Sequence, residues 1–131
     1  MSWILNLLFG SRAKKAKSIK AETKEKIISD WRAIDAQIKG GTPSQLKQAL
    51  ITADKTLDNI LRDMFEAEKM ADRLKIAKDY FDYDLYQRVW DAHKMRNNIV
   101  HESGYDPSHI LIEKSIRDLR KAVSTLGNIL I

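Results

Sequence analysis

The stretch Thr42–Met64, TPSQLKQALITADKTLDNILRDM, decides the fold class. Leu46, Leu50, Ala53, Leu57, Ile60 or Leu61, and Met64 recur at steps of three and four, the period of one face of an α-helix. Thr42 followed by Pro43 reads as an N-cap with proline at the first helical position. Between the apolar positions, Lys47, Asp54, Lys55, Asp58, Arg62 and Asp63 alternate in sign, which predicts a solvated outer face.

The same period extends in both directions. Upstream, Ile27, Trp31, Ile34 and Ile38 predict a helix over about Ile19 to Ile38, broken by Gly40 and Gly41. Downstream the pattern runs on through Met70, Leu74 and Ala77, which predicts a continued helix with a kink near Ala67. The segment DYFDYD (79–84) interrupts it, and Asp84 is the expected cap of a helix from Leu85 to His101. Gly104 would end that helix in a left-handed cap. Asp106 and Pro107 then open a final helix carrying Ile110, Ile112, Ile116, Leu119, Val123, Leu126 and Leu130. No stretch alternates with period two, so an all-α bundle of four to five helices is expected.

At 131 residues the chain is expected to hold one domain with its own core. The absence of cysteine excludes a disulfide framework and a thiolate zinc site, and suits a reducing, cytoplasmic setting. The net charge of +5 is local: residues 1–26 hold seven Lys and Arg against Glu22 and Glu25, and the rest of the chain is neutral. We therefore divide the chain into an apolar and basic arm (1–18) and a helical domain (19–131). Such an arm favours polyanions. The apolar run Trp3 to Phe9 is too short to span a bilayer and stands before its charges, unlike a signal peptide. A first turn packed on the body or on a partner subunit is the favoured reading, and peripheral membrane contact through residues 3–17 is the second.

The unusual chemistry lies in WDAHKMRNNIVHESGYDPS (90–108) with the residue that follows, where the three histidines His93, His101 and His109 occur. At ~100° per residue, Leu85, Ala92, Met95 and Ile99 fall in one arc. His93, Arg96, Asn97 and His101 fall in a neighbouring arc beside Tyr86 and Trp90. An arginine offers a planar fork to phosphate, a histidine titrates near pH ~6.5, and an asparagine orients. This set suits holding a phosphate and moving a proton without a metal or cofactor. His93 and His101 are two turns apart, with no carboxylate to complete a familiar ligand set.

RNNIVH, Arg96 to His101, matches the arginine-to-histidine motif of HEPN domains, with a polar residue directly after the arginine. WDAHKMRNNIVHE, preceded by ALITADKTLDNILRDM and MADRLKIAKDYFD, resembles a group of bacterial HEPN-like proteins over roughly residues 31–127. The resemblance implies an antiparallel, dimeric helical bundle. It also implies a metal-independent endoribonuclease that uses the RNA 2′-hydroxyl as nucleophile, with a composite site at the homodimer interface. Toxin–antitoxin or stress-response settings, with an antitoxin or nucleotidyltransferase partner, belong to the same family. Carried over, His101 is the proton-transfer residue, Arg96 the phosphate and transition-state stabiliser, and Asn97 the orienting group. His93, Tyr86, Trp90 and Glu102 are assigned to the surrounding substrate edge.

Plainer readings stand beside these. His101 also reads as a helix C-terminal residue of the kind that the helix dipole favours. His93 also reads as the partner of a nearby carbonyl or carboxylate, and Arg96 as a partner of Asp91 or Glu102. Trp31 and Trp90 read as core or dimer-interface aromatics, and the tyrosines of DYFDYDLY (79–86) as packing residues with RNA stacking as the sharper alternative. A non-catalytic HEPN-like module binding RNA, a nucleotide or a protein is the second function expected.

Overall fold

The computed structural model describes residues 16–131. Most of the apolar and basic arm, and with it the membrane reading, lies outside the described residues. Five α-helices form a bundle, without strands among the described residues: α1 (Ala21–Gly40), α2 (Pro43–Met64), α3 (Met70–Ile76), α4 (Tyr83–His101) and α5 (His109–Gly127). A 3-10 turn, Ala77–Tyr80, extends α3. No described helix is long and apolar enough to cross a membrane.

Helix α2 is central, with α1, α4 and α5 packed around it. Its Leu46, Leu50, Ala53, Leu57, Ile60 and Leu61 are fully or almost fully buried, as the three-four periodicity predicts. Thr42 is the N-cap and Pro43 opens the helix, as predicted: Thr42 Oγ1 accepts from the Gln45 N–H at 3.2 Å. The structure adds a reciprocal bond, Gln45 Oε1 accepting from the Thr42 N–H at 3.2 Å. Just before it, Gly41 at φ +71° ends α1 in the left-handed conformation that glycine tolerates.

Trp31 is 1% exposed and joins three helices. Its indole Nε1 donates to Thr56 Oγ1 at 3.1 Å, and Thr56 donates to the Ala53 carbonyl at 2.7 Å. The Arg120 guanidinium stands 4.5 Å over the Trp31 ring and pairs with Asp35. Helices α4 and α5 are tied by Arg88 to Asp118 at 3.1 Å and by the Ser115 hydroxyl to Met95 Sδ at 3.5 Å.

Several local expectations are corrected. The chain does not kink near Ala67: α2 stops at Met64, Phe65 is extended at φ −131°, and α3 is a separate short helix. No proline or glycine forces this break. The Lys17 N–H donates to the Met64 carbonyl at 2.9 Å, so a distant group takes an acceptor freed by the helix end, and Arg73 Nη1 holds the connector by donating to the Ala67 carbonyl at 2.6 Å. Asp82, not Asp84, caps α4, accepting from the Leu85 N–H at 2.7 Å. Helix α4 ends at His101 as expected and Gly104 has φ +82°, but the residue that caps the helix is the extended Glu102 rather than Gly104. Ser108 caps α5, and Asp106 instead pairs with Lys47 at 3.2 Å. Leu130 lies beyond the end of α5 and is 99% exposed.

Leu57 sits at the centre of this core and is 0% exposed. Leu57→Ala is expected to lower unfolding stability by about 2–5 kcal/mol in urea titration, from lost transfer energy plus an unfilled cavity.

Candidate functional site

The site begins with a carboxylate in the wrong place for a surface charge. Asp54 lies four residues after Leu50 and three before Leu57, at the edge of the apolar arc of α2, and is only 3% exposed. The solvated face predicted from its alternating charges is thus corrected for this residue. A buried carboxylate needs charge or hydrogen-bond partners, and α4 supplies them. His93 Nδ1 lies 3.0 Å and 3.1 Å from the two carboxylate oxygens. Arg96 Nε lies 3.8 Å from Oδ2.

The donors and acceptors of this cluster follow from one fact: arginine can only donate. Arg96 Nη1 donates to Asn97 Oδ1 at 2.9 Å, which turns the Asn97 amide nitrogen toward His93 Nε2, 3.5 Å away. His93 Nε2 is then the acceptor, and Nδ1 carries the proton that it donates to Asp54. Arg96, Asn97, His93 and Asp54 therefore close a ring across α2 and α4, with both nitrogens of His93 engaged. This spacing is helical: His93 and Asn97 are one turn apart, so their side chains stack.

A second ion network supports the first, one turn further along α2. Asp58 Oδ1 accepts from Arg73 Nη2 at 2.7 Å, and Asp58 Oδ2 lies 3.1 Å from Arg62 Nε. Arg73 is 5% exposed. Between the networks opens a cavity of about 400 Å³, lined by Ile51, Asp54, Lys55, Asp58, Arg62, Met70, His93 and Arg96.

Of the residues singled out from sequence, Arg96, Asn97 and His93 come together. His101 is exposed in the last turn of α4 and makes no hydrogen bond, ion pair or ring contact among the described residues. Glu102 is exposed at the end of α4, its N–H donating to the Asn98 carbonyl at 2.8 Å. Tyr86 is 7% exposed; its ring centroid lies 6.4 Å from Phe81 and 6.3 Å from Trp90. Trp90 is half-buried and meets His93 edge-on at 6.1 Å. These rings form a packed run along α4, and neither Tyr86 nor Trp90 lines the cavity at Arg96. Arg96 pairs with neither Asp91 nor Glu102 but with Asp54. His109 is exposed as the first residue of α5.

Asp54, Lys55, Asp58 and Arg62 were read from the sequence only as charges of a solvated face, and Arg73 was not named. One signal was present for Asp54: an acid stands at the i+4 position from a core leucine. Its partners are invisible locally, because they lie 39 and 42 residues away on another helix. Searches against protein-family models, curated proteins and solved structures give no match. The residues and their geometry therefore carry the functional argument. Among the described residues no three His, Asp or Glu side chains converge as metal ligands.

Asp54→Ala is expected to cost about 3–5 kcal/mol of stability, because it strands His93 and Arg96 without their carboxylate. The Asp54→Ala/His93→Ala double variant should lose less than the sum of the single losses by roughly 0.5 kcal/mol or more. Urea titration of the four proteins measures this coupling, and strict additivity would contradict the ring.

Proposed function

We propose that this chain is a HEPN-type, metal-independent endoribonuclease with an antiparallel bundle and a site completed by a second copy. The carrying observation is the unequal state of two histidines on α4. His93 is occupied at both ring nitrogens, whereas His101, two turns on, is exposed and without a partner among the described residues. That division suits His93 as a structural anchor and His101 as the group that moves protons.

The chemistry follows from these assignments. The 2′-hydroxyl attacks the adjacent phosphorus as a base removes its proton, and the bond to the 5′-oxygen breaks as that oxygen is protonated. The products are a 2′,3′-cyclic phosphate and a 5′-hydroxyl. Arg96, held by Asp54 and Asn97, stabilises charge on the phosphoryl oxygens. A preset guanidinium loses little side-chain freedom when the phosphate arrives. Two proton transfers are needed, and each chain has one exposed histidine following the arginine on α4. A pair of chains supplies both. Val100, Ile110 and Leu111, respectively 45%, 77% and 49% exposed, flank this end of the α4–α5 pair and suit burial between copies. The basic residues of the arm add salt-dependent attraction for RNA.

The second reading is a non-catalytic HEPN-like module for RNA, a nucleotide or a protein. It draws on the same ring, since both contacts of Arg96 are internal and serve stability whether or not substrate binds.

Purified protein incubated with labelled RNA in EDTA should yield fragments ending in 2′,3′-cyclic phosphate. His101→Ala and Arg96→Ala should each slow cleavage by about 10²-fold or more. Cleavage unaffected by both substitutions would remove this site from the mechanism, and no cleavage of varied RNAs by the unaltered chain would favour the binding module. Light scattering should give the mass of a dimer, and Ile110→Asp/Leu111→Asp should shift it to a monomer and abolish cleavage together.

A further inference from the structure

Lys55 and Arg62 stand on the exposed face of α2 with a cavity on each side. One is the cavity of about 400 Å³ that reaches His93 and Arg96. The other, about 340 Å³, lies between α1 and α2 and is lined by Glu22, Thr23, Lys26, Lys55, Asn59, Arg62 and Asp63. Lys55 and Arg62 line both. Seven residues separate them, roughly 10 Å along the helix.

The charges are layered. The floor of the larger cavity is acidic, but its carboxylates are committed: Asp54 to His93 and Arg96, and Asp58 to the buried Arg73 and to Arg62 Nε. The rim is cationic. Lys55 is exposed and has no ion-pair partner among the described residues. The Arg62 side chain is 66% exposed and spends only Nε on Asp58, which leaves its terminal nitrogens free to donate. Among the lining residues Lys55, Arg62 and Arg96 outnumber the two carboxylates, so the cavity attracts anions although residues 27–131 as a whole are neutral. Ile51 and Met70 add apolar wall beside the cations. Phosphate-binding donors next to an apolar wall match a nucleotide, which pairs a charged ester with a flat base.

We infer that Lys55 and Arg62 form a phosphate-ester binding ridge for nucleotide ligands, joining the two cavities and leading to Arg96. The ridge positions a nucleotide chain through its backbone, and Arg96 takes the phosphate at its inner end. This deepens the RNA reading above, on which it rests for the choice of ligand and not for the chemistry at His101.

The test uses the full chain in EDTA and a fluorescent single-stranded RNA with 2′-O-methyl groups, which binds but cannot be cleaved. Lys55→Gln/Arg62→Gln is compared with Lys39→Gln/Lys121→Gln, a pair of equal charge change outside both cavities. Fluorescence anisotropy over a salt series should show binding weakened about tenfold or more by the first pair. The logarithmic salt slope should fall by ~1.4, the value for two lost phosphate contacts on a single strand. Adenosine monophosphate is titrated in parallel. A loss confined to the monophosphate supports the ridge with a free nucleotide as its ligand. Equal losses in the two double variants, or no loss for either ligand, would overturn the inference. Ridge-dependent binding by a chain that cuts no unmodified RNA would refute the nuclease reading while leaving the ridge intact.

Discussion

A carboxylate buried between two helices governs this structure. Asp54 stands in the row of leucines by which α2 fills the core, and at 3% exposure it has almost no water to solvate it. Removing such a charge from water costs several kcal/mol unless it is paired. Helix α4 must therefore present His93 and Arg96 at that level of α2. A rotation or slip of α4 would separate a buried anion from its donors, so the pair opposes alternative registers that apolar contacts alone would tolerate. The constraint that sets the register of α4 also fixes the direction of Arg96.

The ring shows how one residue type settles several orientations. Arginine has no acceptor, so Asn97 must turn its oxygen to Arg96; the amide nitrogen then faces His93, and His93 must give its proton to Asp54. The ring leaves no spare nitrogen on His93. It leaves His101 outside. In the proposed nuclease this separates rigid positioning from proton transfer, the former needing burial and the latter access to solvent and substrate. The second network, Asp58 with Arg73 and Arg62, extends the same principle along α2. Its half-buried carboxylate is neutralised by the buried Arg73, which leaves the terminal nitrogens of Arg62 available at the rim.

Much of the architecture was legible in the sequence because it rests on local rules. Core burial along α2 follows from the spacing of Leu46, Leu50, Ala53 and Leu57, and the Thr42–Pro43 start follows from capping chemistry. Of the candidate site, the placing of His93, Arg96 and Asn97 on one arc followed from helix geometry, since neighbours three and four residues apart must meet. Asp54 escaped the same reasoning. Its neighbours in sequence, Lys55 and Asp58, gave it the look of one charge in an alternating, solvated series. Tyr86 and Trp90 escaped it differently: periodicity placed them beside the polar arc, while packing against Phe81 and His93 turned them away from the cavity.

The sequence by itself determined which segments are helices, which faces are apolar, and that an arginine, an asparagine and two histidines share a side of α4. Those properties depend on residues within a few turns of one another. Only the tertiary structure decided that α2 ends at Met64, where the distant Lys17 N–H meets its last carbonyl. It alone decided which histidine is bound and which is exposed, because Asp54 reaches His93 from 39 residues away. A helix can announce its faces in its own spacing; what lies against each face is fixed by the energy of burying charges and side chains contributed by the rest of the chain.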